Sequence, residues 1–342
     1  MNVVNNKYYE NIKQYIKNNY KFLIVILISI TVLLWPVDYH ILTGGGIISI
    51  ESRLSIDTEY DADGSLNFSY VREARGTVTS YLLSFIFPSW ERIRVSDLTI
   101  HDDEDIQDLR NRSLLDLSLN NNHATFQAFY LADRDIEIES TRYYVYHVNE
   151  SAIDNTLRVG DQILSFNGNE MTSFEELREY INTKEEGDTL SFNVLSNNRQ
   201  QTRQATIFET DGELFTGIVV VGIHEFKTDP TVELNFTANE SGPSGGLMLT
   251  LAIYNHLVKD DITNGLTIVG TGAIDQDGNA REVGGISFKL SGAVRANADV
   301  FIVPVGENYE EAVSVRDANN WNIEIIGVES VHDAIEQLTN YR

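Results

Sequence analysis

Two glycine-rich turns carry the residues best suited to chemistry. The first is Gly242-Pro243-Ser244-Gly245-Gly246, and it leads into the apolar helical stretch Leu247–Val258. The second is Gly284-Gly285-Ile286-Ser287-Phe288-Lys289, which also opens a helical stretch. Gly242 and Pro243 force a turn, and Gly245 and Gly246 let backbone approach a substrate closely. Ser244 then sits near a helix N-terminus, where free N–H groups and the macrodipole favour negative charge. Backbone around Gly242, Pro243, Gly245 and Gly246 is thus the candidate oxyanion site, and Ser244 the candidate nucleophile. The alternative role for this serine is a plain helix N-cap.

On a helical wheel started at Ile286, Lys289 falls with Ala293 and Ala296, and Arg295 falls opposite. A lysine on an inward face meets a desolvation cost that lowers its pKa. A neutral amine can then act as the general base for a serine. The alternatives are a snorkelling lysine or one paired with a buried acid. Between the two lies Gly270-Thr271-Gly272-Ala273-Ile274-Asp275-Gln276-Asp277-Gly278-Asn279. Thr271 ends a strand, where its hydroxyl is placed to orient an amine or is simply a β-branched strand residue. Asp277-Gly278 is a hairpin turn signal.

The elements that must hold these residues alternate in type. Thr216–Ile223, Val232–Phe236, Leu266–Val269, Val300–Val303 and Ile323–Ile326 read as strands. Leu247–Val258, Tyr309–Asp317 and Val331–Leu338 read as helices, the last with Ser330 as N-cap. That alternation is an α/β pattern.

Composition narrows the chemistry. The 342 residues carry 25 basic and 51 acidic side chains, a net charge of −26, which argues against a nucleic-acid partner. With no cysteine, thiolate metal sites, disulfides and cysteine nucleophiles are excluded. No H-E-x-x-H and no G-x-x-x-x-G-K-[ST] occurs, so neither a zinc protease nor an ATPase loop is expected. No cofactor and no metal are called for.

Phe22–Trp35 contains no charged residue. As a helix it covers about 21 Å at ~1.5 Å per residue. Extension to Leu42 gives about 31 Å, near the hydrocarbon thickness, but takes in Pro36, Asp38 and His40. No A-x-A-like cleavage site follows, and Trp35 and Tyr39 read as interfacial aromatics, so a retained anchor is expected. Lys7, Lys13, Lys17 and Lys21 against Glu10 make the N-terminal flank basic. The expectation is a single-pass membrane protein with residues 1–21 cytoplasmic, 22–42 spanning and the remainder extracytoplasmic.

Thr43-Gly44-Gly45-Gly46 is a flexible break. Residues 47 to about 85 alternate as strands do, and Asp105–Leu131 has apolar positions at helical spacing that Asn120-Asn121-Asn122 is expected to interrupt. Residues 43–136 read as a linking or regulatory region. A further unit spans 137–210. Tyr143–Val148 is a strand, followed by Leu157-Arg158-Val159-Gly160-Asp161-Gln162-Ile163-Leu164-Ser165-Phe166-Asn167-Gly168. Ser173 and Glu176 then form a capping box that opens a helix. Strands at Leu190–Leu195 and Thr202–Ile207 close the unit. This run resembles a PDZ domain, a family that binds peptide C-termini by strand addition. The corresponding carboxylate loop is expected near Ser140-Thr141-Arg142-Tyr143, without the usual glycine pattern, so a spacer or docking role stands beside peptide binding.

The third unit, 211–342, resembles the Lon protease domain on three motifs in order: G-P-S-G-G, T-G-A-I-D-Q-D-G-N-A and V-G-G-I-S-F-K. That resemblance implies Ser244 as nucleophile, Lys289 as general base and Thr271 as the lysine's support. The dyad residues lie 45 positions apart, which fits the family. Ser241 stands where Lon proteases often carry an acid, with Glu240 one place earlier. With an anchor and a PDZ-like unit in front, the chain is similar to the YlbL/SepM-type Lon-like proteases of Gram-positive bacteria. The resemblance implies an ATP-independent extracytoplasmic serine endopeptidase acting on secreted or membrane-proximal peptides or proteins, some members processing signalling peptides, with homo-oligomers in view. The expected fold is multidomain α/β (α+β): a transmembrane helix, a β-rich PDZ-like domain and a Lon-type α/β domain.

Two rivals remain. GPSGG also fits the G-x-S-x-G nucleophile elbow of α/β-hydrolases, with Asp299 and His332 as partners, which would make an esterase. The other is a PDZ-based binding scaffold whose third domain is inactive.

Overall fold

The computed structural model describes residues 2–57, 60, 62–87, 89–98, 106–149 and 154–341. The chain begins with α1 (Asn2–Leu33), β1 (Pro36–Ser49), β2 (Leu54–Ile56), β3 (Ser65–Thr77), α2 (Val78–Leu83), β4 (Glu91–Arg94) and the long α3 (Ile106–Leu131). Next come β5 (Ile136–Val148), β6 (Gln162–Phe166), β7 (Asn169–Glu170), α4 (Phe174–Ile181), β8 (Thr189–Ser196), β9 (Arg199–Thr206), β10 (Phe208–Thr210), β11 (Glu213–Phe215) and β12 (Ile218–Thr228). The last part holds β13 (Val232–Leu234), α5 (Gly246–Leu257), β14 (Thr267–Gly270), β15 (Ala273–Ile274), β16 (Ala280–Arg281) and α6 (Ile286–Arg295). It closes with β17 (Val300–Pro304), α7 (Glu307–Asn319), β18 (Glu324–Val328) and α8 (Val331–Thr339). The fold is mixed α/β, with an N-terminal apolar helix, a β-rich middle part and a C-terminal α/β part.

Two compact units divide the chain. One is Met1–Gly44 with Arg72–Leu98. Within it α1 presents Tyr8–Leu33 as a helix long and apolar enough to cross a membrane. The helix ends at Leu33, and Pro36–Leu42, which the sequence reading added to the span, are strand instead. Pro36 explains the break, because proline lacks an N–H and disfavours helix in the residue before it. The candidate span is therefore Tyr8–Leu33, reaching further N-terminally than the sequence suggested. In the same unit β1 pairs antiparallel with β4, Tyr39 opposite Arg94 and Leu42 opposite Glu91.

The other unit is Gly45–Val71 with Thr99–Arg342. It holds a parallel set in the order β18, β17, β14, β3. Val300 stands opposite Ile268 and Glu324, and Leu66 opposite Ile268. Its central strands, β14 and β17, are buried through most of their length, as a sheet covered on both faces requires. α5 is apolar almost all round, and ten of its twelve residues are buried. Such a helix belongs in a core. It packs with Phe68, Phe129, Ile268 and Ile302 in the largest apolar cluster.

The second sheet of this unit runs β12-β5-β6-β8-β9. Its core joins Val145, Ile163, Phe166, Leu177, Phe192 and Ile207. The strands at 216–223, read with the C-terminal part, instead extend as β12 along β5 over eleven paired positions from Ile218↔Val148 to Thr228↔Ile136. Likewise β3 enters the parallel set beside β14.

α3 runs through Asn120-Asn121-Asn122 without a break. Asparagine weakens a helix by competing for local backbone, but here tertiary bonds occupy the side chains of Asn120 and Asn122. Asn120 Oδ1 accepts from Ile274 N at 2.9 Å, and Asn122 Nδ2 donates to His224 O at 2.9 Å. Asp105, where the sequence reading began this helix, lies outside the described residues. Ser173 caps α4 by accepting from Glu176 N at 3.1 Å, but the box is not reciprocal. The Glu176 carboxylate accepts instead from the Thr172 hydroxyl.

Candidate active site

Ser244 lies in the turn that precedes α5, and the helix N-cap is Gly245, with no side-chain cap bond. The serine hydroxyl is therefore not occupied as a cap. Among the described residues it makes no hydrogen bond, and the residue is half-buried. The Ser244 backbone, by contrast, is fixed. Its carbonyl accepts from Gly272 N at 2.9 Å and from Thr271 Oγ1 at 3.1 Å.

Lys289 stands on the inner face of α6 with Ile286, Leu290 and Ala293, all buried. Arg295 points out and donates to Gly45 O at 2.8 Å. The helix begins at Gly285, whose φ of 73° is left-handed and favours glycine. A Cβ there would also come within 2.7 Å of Val71. Lys289 is 4% exposed. Its Nζ donates to Thr271 Oγ1 at 2.9 Å, and no carboxylate pairs with it among the described residues. Burial alone pulls its pKa down to about 8. That removes both bland readings of the lysine, the snorkel and the buried ion pair.

Thr271, fully buried at the end of β14, joins the other two residues. Its hydroxyl proton goes to the Ser244 carbonyl, so its oxygen can only accept from Lys289. One amine N–H is thereby used, which leaves the lone pair of a neutral amine free to point elsewhere.

The turn's amides are not equivalent. Gly242 N donates to Ser113 O at 2.8 Å, Gly246 N to Pro243 O at 3.2 Å, and Pro243 has no N–H. Among the described residues the N–H groups of Ser244 and Gly245 donate to no protein acceptor. Of the four oxyanion positions read from the sequence, only Gly245 offers a free amide, and Ser244's own amide joins it.

Glu240, two places before Gly242, is committed elsewhere. Arg53 Nε reaches its two oxygens at 2.9 and 3.0 Å, and Thr237 N donates to it at 2.6 Å. Its burial works against ionisation, but these hydrogen bonds outweigh it and hold the carboxyl below the ordinary range.

Sequence reasoning missed the support from α3. Ser113 O takes the Gly242 amide, and Asn120 Oδ1 stands 2.3 Å from where a Cβ on Gly246 would be. Phe68 of β3 closes in similarly on Gly245. Only the glycines themselves signalled that something approaches closely.

The elbow reading of GPSGG fails on geometry. An elbow serine follows directly on a strand, whereas residues 235–245 between β13 and α5 contain no strand. Asp299 is tied to Thr267 N at 2.8 Å.

Comparison with known families agrees with these two folds. A family model for the PDZ domain matches residues 114–207. A model for the Lon protease (S16) C-terminal proteolytic domain matches residues 235–340. The chain joins a PDZ domain to a Lon-type protease domain. Among solved structures, the PDZ domain of an SdrC-like protein from Listeria monocytogenes is 28% identical over 23% of this chain and 86% of that one, with a TM-score of 0.22. The PDZ domain of an SdrC-like protein from Listeria innocua is 26% identical over 23% and 92%, also at 0.22. No curated protein matches the chain.

In the PDZ domain, Ser140–Tyr143 do not form a loop. They lie inside β5 and pair along β12, with Thr141 opposite His224 and Tyr143 opposite Gly222; of the four only Tyr143 also pairs with β6, opposite Ile163. Extended backbone paired along β12 does not form the loop of converging N–H groups that cradles a carboxylate. β12, whose outward backbone at His224 is bonded to Asn122 of α3, is one of the two edge strands of this sheet. Beside it a groove of about 410 Å³ is lined by Phe174, Leu177 and Ile181 of α4 and by Phe215, Ile218 and Val220. The sequence signal for it is Thr216-Gly217 directly before the Ile218–Val221 run.

Proposed function

We propose that the chain is a membrane-anchored serine endopeptidase that uses Ser244 as nucleophile and Lys289 as general base, with its catalytic part outside the membrane. The observation that carries this reading is the Thr271 hydroxyl, hydrogen-bonded to both Lys289 Nζ and the Ser244 backbone, beside a lysine whose pKa is lowered by burial.

In the proposed reaction neutral Lys289 takes the proton of Ser244 Oγ as that oxygen attacks a peptide carbonyl. The N–H groups of Ser244 and Gly245 hold the oxyanion. Lys289 then gives its proton to the leaving amine, and a C–N bond breaks. Water, deprotonated by the same amine, hydrolyses the ester and returns Ser244. No nucleotide enters these steps. Substrates are peptides or proteins in extended form, and the Ile218–Val220 stretch of the β12 edge strand, beside the apolar groove, suits an added strand.

The test is labelling by a fluorophosphonate probe together with peptide cleavage. Wild-type protein is expected to label and cleave, and Ser244→Ala to do neither. Wild-type labelling no stronger than that of Ser244→Ala and Lys289→Ala, with no cleavage, removes the protease reading. A scaffold would keep its cellular role in Ser244→Ala.

A further inference from the structure

The first unit carries an apolar patch with no role in the chemistry above. α2 buries none of its residues. Leu82, Phe85, Ile86 and Phe87 are 55%, 62%, 69% and 44% exposed. The segment is nonetheless ordered by its own bonds. Thr77 and Ser80 form a reciprocal capping box, and turns follow from Ser84 N to Ser80 O and from Phe87 N to Leu83 O, both at 3.0 Å. Arg92 donates to Ser84 O at 3.0 Å and lies 4.2 Å from the Phe85 ring centre. Phe87 and Trp90 stack at 5.2 Å. A segment whose backbone groups are satisfied internally can leave water without losing hydrogen bonds.

Its place in the unit says what covers it. α2 starts where α1 stops: Val78 N donates to Trp35 O at 3.0 Å, and Thr79 Oγ1 to Leu33 O at 2.8 Å. These bonds satisfy carbonyls that a helix C-terminus leaves open. α2 has six residues, so it reaches about 9 Å from that junction at ~1.5 Å per residue. Interfacial helices bury their apolar faces by about 5–10 Å, so the patch stays within that layer. Composition agrees. The patch holds Tyr81, Phe85, Phe87 and Trp90, and aromatic residues gather at membrane interfaces. Between Arg72 and Leu98 four arginines face three acids, in a chain whose net charge is −26.

We infer that Tyr81–Phe87 and Trp90 form a second membrane contact, an interfacial foot that lies in the lipid headgroup and upper acyl layer beside the end of α1. This rests on α1 being a retained anchor. The occupant is lipid; a second copy of the chain is the competing one.

The chain has three tryptophans, at 35, 90 and 321, and no cysteine. Full-length protein is placed in phosphatidylcholine–phosphatidylglycerol vesicles with brominated acyl chains, with two tryptophans changed to Phe in turn. Trp35 as sole tryptophan reports the anchor, and Trp90 as sole tryptophan reports the foot. Both are expected to be quenched. Phe85→Ser with Ile86→Ser is expected to abolish quenching of Trp90 and leave that of Trp35 unchanged. Trp35 quenched with Trp90 unquenched overturns the foot and keeps the anchor. Trp35 unquenched overturns the anchor, and with Trp90 also unquenched the foot falls too. An Ile86→Cys disulfide between copies in the same vesicles, with Trp90 unquenched, assigns the patch to self-association and overturns the inference.

Discussion

Lys289 Nζ lies 2.9 Å from Thr271 Oγ1, and no acid lies opposite it among the described residues. An amine held this way is costly when charged and useful when neutral. With a pKa of about 8, roughly a tenth of it is neutral at pH 7, against less than one in a thousand for a free lysine near 10.4. The proposed kcat/KM should therefore rise nearly tenfold per pH unit below about 8 and level off above it. A pH–rate profile of peptide cleavage measures the limb. A flat profile between pH 6 and 9 would mean that another group, or none, takes the proton.

The same burial shapes stability. In the unfolded chain Lys289 titrates near 10.4, and in the fold near 8. Between those values the unfolded chain binds more protons, so stability rises with pH. Below about 8 both states are charged, and the fold bears the whole desolvation cost, on the order of 3 kcal/mol. Lys289→Met should thus raise the melting temperature at pH 7, with the gain fading by about pH 10, while cleavage is lost. Thermal unfolding at the two pH values decides it; a variant less stable at both means the lysine is not held as described.

Thr271 tests the positioning argument separately from the base. Thr271→Val keeps the shape, but leaves a buried N–H of Lys289 without an acceptor and takes one donor from Ser244 O. The expected loss in kcat is about ten- to a hundredfold, from the ~1–3 kcal/mol of an unmade buried bond. Thr271→Ser should restore most of it. If the valine variant keeps full kcat and an unchanged pH limb, the hydroxyl is packing only.

How much of this could be read from residues depends on range. The turns at Ser244, Thr271 and Lys289 were legible because glycines and a helical wheel report local geometry, and the inward lysine follows from a spacing of three and four. The Lon-type unit's own strands and helices were legible for the same reason. The span bound missed at Pro36 and the capping box lost to Thr172 have local causes, but the larger misreadings involve partners far away in sequence. Asn120-Asn121-Asn122 looks like a helix break until Ile274 and His224 supply its bonds. Ser140–Tyr143 looks like a loop until β12 pairs along it. Asn120 and Ser113 carry no motif at all, and only the contact gives them meaning.

That contact yields the last prediction. A Cβ on Gly246 would stand 2.3 Å from Asn120 Oδ1, an atom already fixed by the Ile274 amide. The asparagine cannot swing away without leaving that buried amide unpaired. Gly246→Ala should then destabilise the fold by about 1–3 kcal/mol, the usual cost of overpacking. Asn120→Ala alone should cost a similar amount through the unpaired N–H. The double variant should be clearly better than the sum, because removing the asparagine opens the space that the alanine needs. Denaturant unfolding of the four proteins gives the coupling. Simple additivity would mean that α3 merely lies alongside the serine turn. Strong coupling would mean that α3 sets the turn's position, and with it the Ser244 and Gly245 amides of the proposed oxyanion site.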